Sequence, residues 1–400
     1  SAIHVARNFG AIWNGPLTGS TTLTLKGGFA SATSSQLSLI NNAGNTFSGN
    51  IVVDGGTLKI GGNVYATGTA LQGFILPNMT IGSAITVNRG STFNIEDNAS
   101  AAAGYVADRL GSAGNRPAVS LAGGTFNLSG ANNAAVMTQT LGPLTLASGP
   151  SVINVTRNTA GTPELVFSNL TCTSGAFVNF TGTALGSGTA DGRVLFATPP
   201  TGVGGGGAAG TKTMSIVPGA RSGNDLVYYG ANGVRPLVAV TEYNEVTGAN
   251  DINAAGATEN VKMTGTTTPF TPLSADKTIN SLVITAAANA VWTNSYTLTL
   301  TSGQILSTPN NTLTIASGTL TAGSGSATDL DITIMQSTTT IGANINNNGT
   351  GVIALVKNGA GALTLGNAID NTFSGGTFVN EGTLTTGLTA SRAYLGAGPV

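Results

Sequence analysis

Residues 371–384 read NTFSGGTFVNEGTL, and residues 45–58 read NTFSGNIVVDGGTL. Nine of the fourteen aligned positions are identical, and the two copies begin 326 residues apart (371 − 45). A phrase that recurs near both ends of a chain of 400 residues indicates a repeated structural unit rather than a single globular pattern.

A looser form of this phrase fills the space between the two copies. It consists of an apolar residue, two further residues, a glycine, one residue and a second apolar residue, as in Val53 to Leu58. It recurs at 121–126, 300–305, 315–320 and 379–384, and residues 85–95 carry it with one extra residue. The anchors Val53, Val87 and Leu121 are 34 residues apart each time, whereas Leu300 and Ile315 are only 15 apart.

Each unit predicts a strand, a turn and a second strand. Segments such as TLTL at 22–25 and 297–300 and TLTI at 312–315 alternate polar and apolar residues, so leucine points inward and threonine outward. One unit cannot bury its apolar face alone, but stacked units share a continuous core. The uneven spacing predicts an all-β solenoid with loops of different length. A β-sandwich or β-barrel also uses many short strands, but it does not require one recurring turn phrase.

The pattern divides the chain into three parts. Residues 1–200 and 277–400 are predicted to form two solenoid stretches, the second of which continues beyond the chain end. Residues 201–276 are predicted to form an irregular insertion, with the glycine-rich loop at 202–210 and a hairpin. The alanine-rich segment 99–114 predicts a short helix on a side loop.

Composition excludes several classes of function. Charged residues are 8% of the chain, with 15 basic and 16 acidic residues and no basic stripe, so nucleic acid is not an expected partner. No apolar run reaches about 18 residues, so membrane insertion by this chain is not expected. One histidine, His4, and one cysteine, Cys172, cannot supply a zinc site or a disulfide within the chain. Cys172 is expected to be a small buried side chain.

The best carboxylate pair is Asp329 with Asp331 in the segment TDLDITI. Residues two apart on a strand share a face, about 7 Å from each other, which suits glycoside hydrolysis. No basic residue lies within ten positions to bind an acidic sugar. The favoured interpretation is therefore an exposed polar face with Leu330 and Ile332 pointing inward. No catalytic, metal or cofactor site is predicted.

Residues 356–384 resemble the autotransporter-associated β-strand repeat. Lys357, Gly359, Gly361, Leu363 and Leu365 match its K-x-G-x-G-x-L-x-L opening, and the NTFSGG and VNxGTL phrases follow. Linking phrases such as VSLAGGTFNL are similar to large surface proteins of Planctomycetes and Verrucomicrobia that carry this repeat. The repeat positions expected to shape the fold are Asn45, Phe47, Gly49, Gly56, Leu58, Asn371, Phe373, Gly375, Gly382 and Leu384.

The resemblance implies a right-handed parallel β-helix that is exported to the cell surface, in a group whose members mostly have no known enzymatic role. The resulting hypothesis is an extracellular structural or adhesive protein that self-associates, with a cell-surface polysaccharide as a further ligand. A polysaccharide-active enzyme and a carbohydrate-binding module on the same scaffold are the alternatives. Outward threonines also suggest an ice-binding array, but the uneven spacing disfavours it.

Overall fold

The chain consists of short β-strands that pair almost entirely in parallel. A computed structural model describes residues 2–5, 10–27, 35–41, 44–61, 75–96, 106–130, 136–157, 161–247, 252–265, 271–285, 288–366, 369–387 and 393–400. Within these ranges, helical structure is confined to α1 (Ala239–Glu242) and the 3-10 turn Ile252–Ala254. The prediction of an all-β chain with parallel strands is therefore confirmed.

The chain divides into two compact units. The first comprises Ser1–Pro200 with Tyr229–Arg235, and the second comprises Thr201–Tyr228 with Pro236–Val400. This division rests on compactness alone, so the three-part division made from the sequence stays a prediction. Of the alanine-rich segment, residues 99–105 lie outside the described residues, and residues 106–114 contain no helix.

Of the strands in the described ranges, seventeen lie wholly within the first unit. They are β1 (Ala2–Val5), β2 (Gly10–Trp13), β3 (Leu23–Gly27), β4 (Gln36–Leu39), β5 (Ile51–Asp54), β6 (Gly56–Gly61), β7 (Ala84–Asn88), β8 (Ser91–Glu96), β9 (Ala118–Ala122), β10 (Thr125–Ser129), β11 (Val136–Thr140), β12 (Leu144–Ser148), β13 (Pro150–Thr156), β14 (Thr162–Phe167), β15 (Leu170–Cys172), β16 (Phe177–Gly182) and β17 (Arg193–Phe196).

Consecutive strands of the first unit enter different sheets. One sheet has the order β1-β3-β5-β7-β9-β12-β15, a second contains β2-β4-β6-β8-β10-β13-β16, and a third is β11-β14-β17. The recurring anchors explain this order, because Val53 pairs with Val87 and Val87 pairs with Leu121 on adjacent parallel strands. The 34-residue spacing is thus the length of chain between neighbouring strands of one sheet.

On adjacent strands, inward side chains of the same type stack on one another. Phe93 and Phe126 are register partners with ring centroids 5.2 Å apart. Phe126 then meets Phe167 at 6.1 Å, and Phe167 meets Phe196 at 5.8 Å. Aromatic pairs at such distances add roughly 0.5–1.5 kcal/mol beyond the burial of their area. The column therefore links strands of two sheets through a single apolar core.

Fifteen further strands lie in the rest of the described residues. The strands are β18 (Ala220–Ser222), β19 (Asp225–Gly230), β20 (Gly233–Pro236), β21 (Asn244–Val246), β22 (Asn260–Met263), β23 (Lys277–Ile284), β24 (Ala288–Ser307), β25 (Thr312–Ala322), β26 (Thr328–Ile334), β27 (Thr338–Ile341), β28 (Asn344–Ile345), β29 (Ile353–Asn358), β30 (Ala362–Leu365), β31 (Thr377–Val379) and β32 (Thr383–Thr386).

The second unit repeats the parallel arrangement with uneven lengths of chain per layer. Leu313 pairs with Thr339, Thr339 with Leu363, and Leu363 with Leu384. The steps are 26, 24 and 21 residues (339 − 313, 363 − 339 and 384 − 363). Loops between strands absorb the differences, so the register of the strands is preserved. One apolar cluster fills the interior and includes Leu313, Leu363 and Phe373.

Some strands of this unit are buried on their outer side as well as on their inner side, which the sequence did not predict. We call their outer side the doubly buried face. Val283 and Leu306 are register partners that point away from the main cluster. They pack in a second apolar cluster with Ile216, Leu226 and Leu237. The part of the second unit that carries these three residues includes the antiparallel pair β18–β19 and covers the outer side of β22, β23 and β24. We call residues 203–228 and 236–243, which belong to the second unit, the cover.

Candidate functional site

The two copies of the opening phrase have the same local structure. In each copy the five residues NTFSG form no regular strand, and a short parallel strand begins after one further residue, β5 in the first copy and β31 in the second. After a turn, the chain continues into β6 or β32. The motif therefore forms the corner by which one layer leads into the next.

The asparagine that opens each copy connects adjacent layers. The Asn45 Oδ1 accepts a hydrogen bond from the Leu17 backbone N–H at 2.8 Å, and the Asn371 Oδ1 accepts one from the Ile345 N–H at 2.8 Å. The Asn371 Nδ2 also donates to the Tyr394 carbonyl oxygen at 2.6 Å. Both asparagines are buried. The corner also forms backbone hydrogen bonds to the adjacent layer, and the asparagine amide satisfies further backbone groups that would otherwise be buried without a partner.

The apolar motif positions point toward the core. Phe47, Phe373 and Leu58 are buried. Leu384 is partly buried and packs against the main cluster of the second unit. These positions anchor the two strands that flank each corner to the interior.

The motif glycines lie where a Cβ atom cannot fit. A Cβ on Gly49 would be 2.2 Å from the Thr21 carbonyl oxygen, and one on Gly375 would be 2.7 Å from that of Ile353. Gly382 has φ +70° and its Cβ would be 2.2 Å from the Gly361 oxygen, and Gly56 has φ +74°. Neighbouring layers approach so closely at these corners that only glycine is compatible with them.

Lys357 is a buried cation within the second copy. Its side chain lies among backbone carbonyls, and the Nζ donates to the oxygens of Asn358, Gly359 and Glu381 at 2.9, 2.6 and 3.0 Å. Burial lowers the pKa of Lys357 to about 8, and the Glu381 carboxylate opposes that shift. Three accepting carbonyls favour the ammonium form, so the lysine holds two successive turns together.

The carboxylate pair predicted from the sequence does not lie on an exposed face. Asp331 is only 4% exposed, and the prediction of an exposed polar face there is wrong. Its outward position falls on the doubly buried face, next to register partner Gln304 on β24. The Asn358 Nδ2 donates to the Asp331 Oδ1 at 3.1 Å, and the Asn380 Nδ2 donates to the Asn358 Oδ1 at 2.7 Å. Asp331 thus belongs to a buried polar column.

The environment of Asp331 favours its neutral form. Burial raises the pKa of the Asp331 carboxyl well above its usual range, and the negative charge of Asp329 raises it further. Hydrogen bonds from Asn358 and Gln304 oppose the shift. Since the carboxyl is enclosed, it cannot approach a polysaccharide together with Asp329 in this conformation.

The cover is fixed to the doubly buried face by polar contacts as well as apolar ones. The Lys262 Nζ lies 2.7 Å from the Asp225 Oδ1 and 4.7 Å from the centre of the Tyr243 ring. The Tyr243 hydroxyl accepts a hydrogen bond from the Leu226 N–H at 3.1 Å. Burial raises the pKa of Tyr243 well above its usual value, with Asp225 as the second cause. The cover therefore docks by a paired charge and a buried ring.

The remaining candidates from the sequence lie apart from one another. His4 is exposed on β1. Cys172 is also exposed, so the prediction of a buried cysteine is wrong. Cys172 is the register partner of the buried Leu146. Because β15 is the last strand of its sheet among the described residues, the column of inward side chains ends at Cys172, which is exposed. Among the described residues there is no group of three metal-ligating side chains and no helix long and apolar enough to span a membrane.

Comparison with known proteins identifies the two copies. Residues 34–60 and 355–385 match the family model described as the passenger-associated-transport-repeat. This match confirms the resemblance to the autotransporter-associated repeat over the two stretches that contain the motif. No curated protein and no solved structure matches the chain. The chain thus combines two passenger-type repeats with a stack of parallel strands.

We expect the Asn371→Ala variant to destabilise the second unit by about 2 to 4 kcal/mol, because the Ile345 N–H and the Tyr394 carbonyl both lose their partner. Asn45→Ala tests the same role in the first unit. Thr372→Ala is the control, because it removes only an exposed hydroxyl and methyl group with one exposed hydrogen bond to Asn346, and it should change stability by about 0.5 kcal/mol or less. Equilibrium denaturation in urea measures all three variants. Equal effects of Asn371→Ala and Thr372→Ala would contradict the role of the asparagine.

The raised pKa of Asp331 predicts a pH dependence. The folded state binds the proton more tightly than the unfolded state does, so this stabilisation is present below the ordinary aspartate pKa of about 4 and is lost as pH rises through the folded value. Thermal unfolding followed between acid and neutral pH should therefore show a decrease in stability that Asp331→Asn removes. Asp329→Asn should move the decrease to lower pH, because it removes a negative charge that raises the pKa of Asp331. A move to higher pH would contradict the structure.

Proposed function

We propose that this protein is an extracellular structural or adhesive protein, in which each unit is a right-handed parallel β-helix of the passenger type. The observation that carries the proposal is that both family-matched stretches fold as corners of an in-register parallel stack. Stacked layers of this kind extend a surface without needing a pocket.

The outward side chains support a role for surfaces. In the first unit Asn94, Asn127, Asn154 and Thr181 form a continuous column, with hydrogen bonds of 2.5, 2.5 and 2.9 Å between neighbours. Uncharged hydroxyl and amide groups of this kind hydrate well, and they also form hydrogen bonds with hydroxyl-rich polymers. A cell-surface polysaccharide is therefore a fitting ligand for such a face.

Export to the cell surface is the localisation that agrees with this function. The matched family is described by its association with passenger transport. The single cysteine and low charge content suit a chain that crosses membranes unfolded and folds outside, since no disulfide has to form. We also propose that neighbouring copies self-associate on the surface.

We propose no enzymatic role for the chain. The buried Asp331 does not form an open pair with Asp329. A carbohydrate-binding platform at Tyr229 is also disfavoured, because its ring packs 5.8 Å from Phe196 and its hydroxyl donates to the Phe196 carbonyl at 2.9 Å. These aromatic and acidic side chains are packed within the fold instead.

Treatment of intact source cells with a membrane-impermeant protease tests the proposed location. We expect the chain to be degraded while a cytoplasmic marker protein survives, because a surface protein is accessible from outside. Chemical cross-linking of the same cells should yield multiples of the chain, as self-association requires. Full protection of the chain in intact cells, with degradation only after lysis, would contradict an extracellular role.

A further inference from the structure

One outward face of the second unit presents a two-column array of threonines. Four threonines on successive strands are direct register partners: Thr314, Thr340, Thr364 and Thr385. The second column, two residues earlier on each strand, contains Thr312, Thr338, Ala362 and Thr383. Seven of the eight outward positions are therefore threonine, and no charged residue occurs in the four strand segments.

The uneven loop lengths do not disturb this face. The ladder continues past the strand ends, because the backbone N–H groups of Gly342, Gly366 and Gly387 donate to the preceding layer at 2.7, 2.9 and 3.0 Å. The sequence disfavoured a regular threonine array because the repeat spacing is uneven. That argument does not apply to these four strands, since their register is regular.

Two glycines border the array without a structural need for glycine. Neither Gly342 nor Gly366 has a positive φ. A Cβ on Gly342 would be 3.6 Å from its nearest neighbour, and one on Gly366 would be 3.8 Å away, both ordinary contacts. Glycine without backbone strain or crowding is typical of a place where a ligand approaches the chain closely. A longer side chain here would project beside the threonines and obstruct a flat ligand.

We propose that this threonine face binds the surface of ice. Neighbouring strands repeat about every 4.8 Å, and alternate residues on a strand repeat about every 6.8 Å. These two perpendicular repeats are close to the oxygen repeats on a prism face of hexagonal ice. Threonine suits this lattice because its branched Cβ restricts the rotamer, which fixes the positions of the hydroxyl and the methyl group.

Other flat partners fit the face less well. A second protein copy would bury seven hydroxyls, and each would cost free energy unless it found a partner there. The ice lattice can offer each hydroxyl both a donor and an acceptor. The four strand segments of the array contain no aromatic side chain on which a sugar ring could stack. In the first unit, the outward column of Thr24, Val52, Thr86 and Ser120 has only two threonines and lies beside the Lys26–Asp54 ion pair.

Measurement of thermal hysteresis on the full chain tests this proposal. The unaltered protein should depress the freezing point below the melting point in a concentration-dependent way and shape growing ice crystals into facets. Thr340→Tyr, at the centre of the array, should reduce the effect at least tenfold. Gly366→Lys, which changes no threonine, should do the same, because its side chain blocks the approach of a flat lattice.

Matched substitutions elsewhere serve as controls. Thr125→Tyr replaces an outward strand threonine of the first unit, and Gly82→Lys replaces an exposed glycine there without positive φ or crowding. Both should keep the full hysteresis, and circular dichroism should show an unchanged thermal midpoint for all folded variants. If Thr340→Tyr does not fold, Thr340→Ser replaces it and should weaken the effect by removing one methyl group.

Three results would overturn the proposal. The first is no hysteresis and no faceting with the unaltered chain. The second is full activity of both Thr340→Tyr and Gly366→Lys. The third is association of copies through this face, seen as a larger particle by light scattering that Thr340→Tyr dissociates without any effect on ice.

Discussion

The structure depends on one constraint, which is that each new layer places its strand in parallel register on the layer before it. Backbone hydrogen bonds fix the spacing between layers, and the inward side chains then meet their register partners directly. Phe93 meets Phe126, and Leu363 meets Leu384, only if that register holds. A shift by one residue would turn every apolar side chain outward, so the core and the ladder specify the same arrangement.

The corners of such a stack are harder to stabilise than its strands. Strands satisfy their own backbone groups, but a corner has to turn the chain in a dry environment. The motif solves this with an asparagine amide that binds the previous layer, glycines that allow close approach, and Lys357, which binds three carbonyls. Loops of different length leave from the corners, so they vary without changing the register of the strands.

The sequence predicted the strands and the parallel stacking, because alternation and turn glycines are local signals. The anchors Val53, Val87 and Leu121 even gave the spacing of neighbouring strands. It did not predict that Asp331 is buried, because this burial depends on tertiary packing around Gln304 and Asn358 and not on a local pattern. Likewise Cys172 continues an inward column, and its exposure follows only from the position of β15 at the edge of a sheet.

Directed disulfide formation tests the central claim of in-register parallel layers. Thr92 and Thr125 are outward register partners on adjacent strands, so cysteines at both positions, with Cys172 replaced by serine, should form a disulfide on mild oxidation. The offset pair at Asn94 and Thr125 shares the face, but its Cα atoms are about 8 Å apart by strand geometry, beyond the usual disulfide range. Peptide mass spectrometry should find the cross-link in the first pair and not in the second. A cross-link in the offset pair alone would contradict the register and the account built on it.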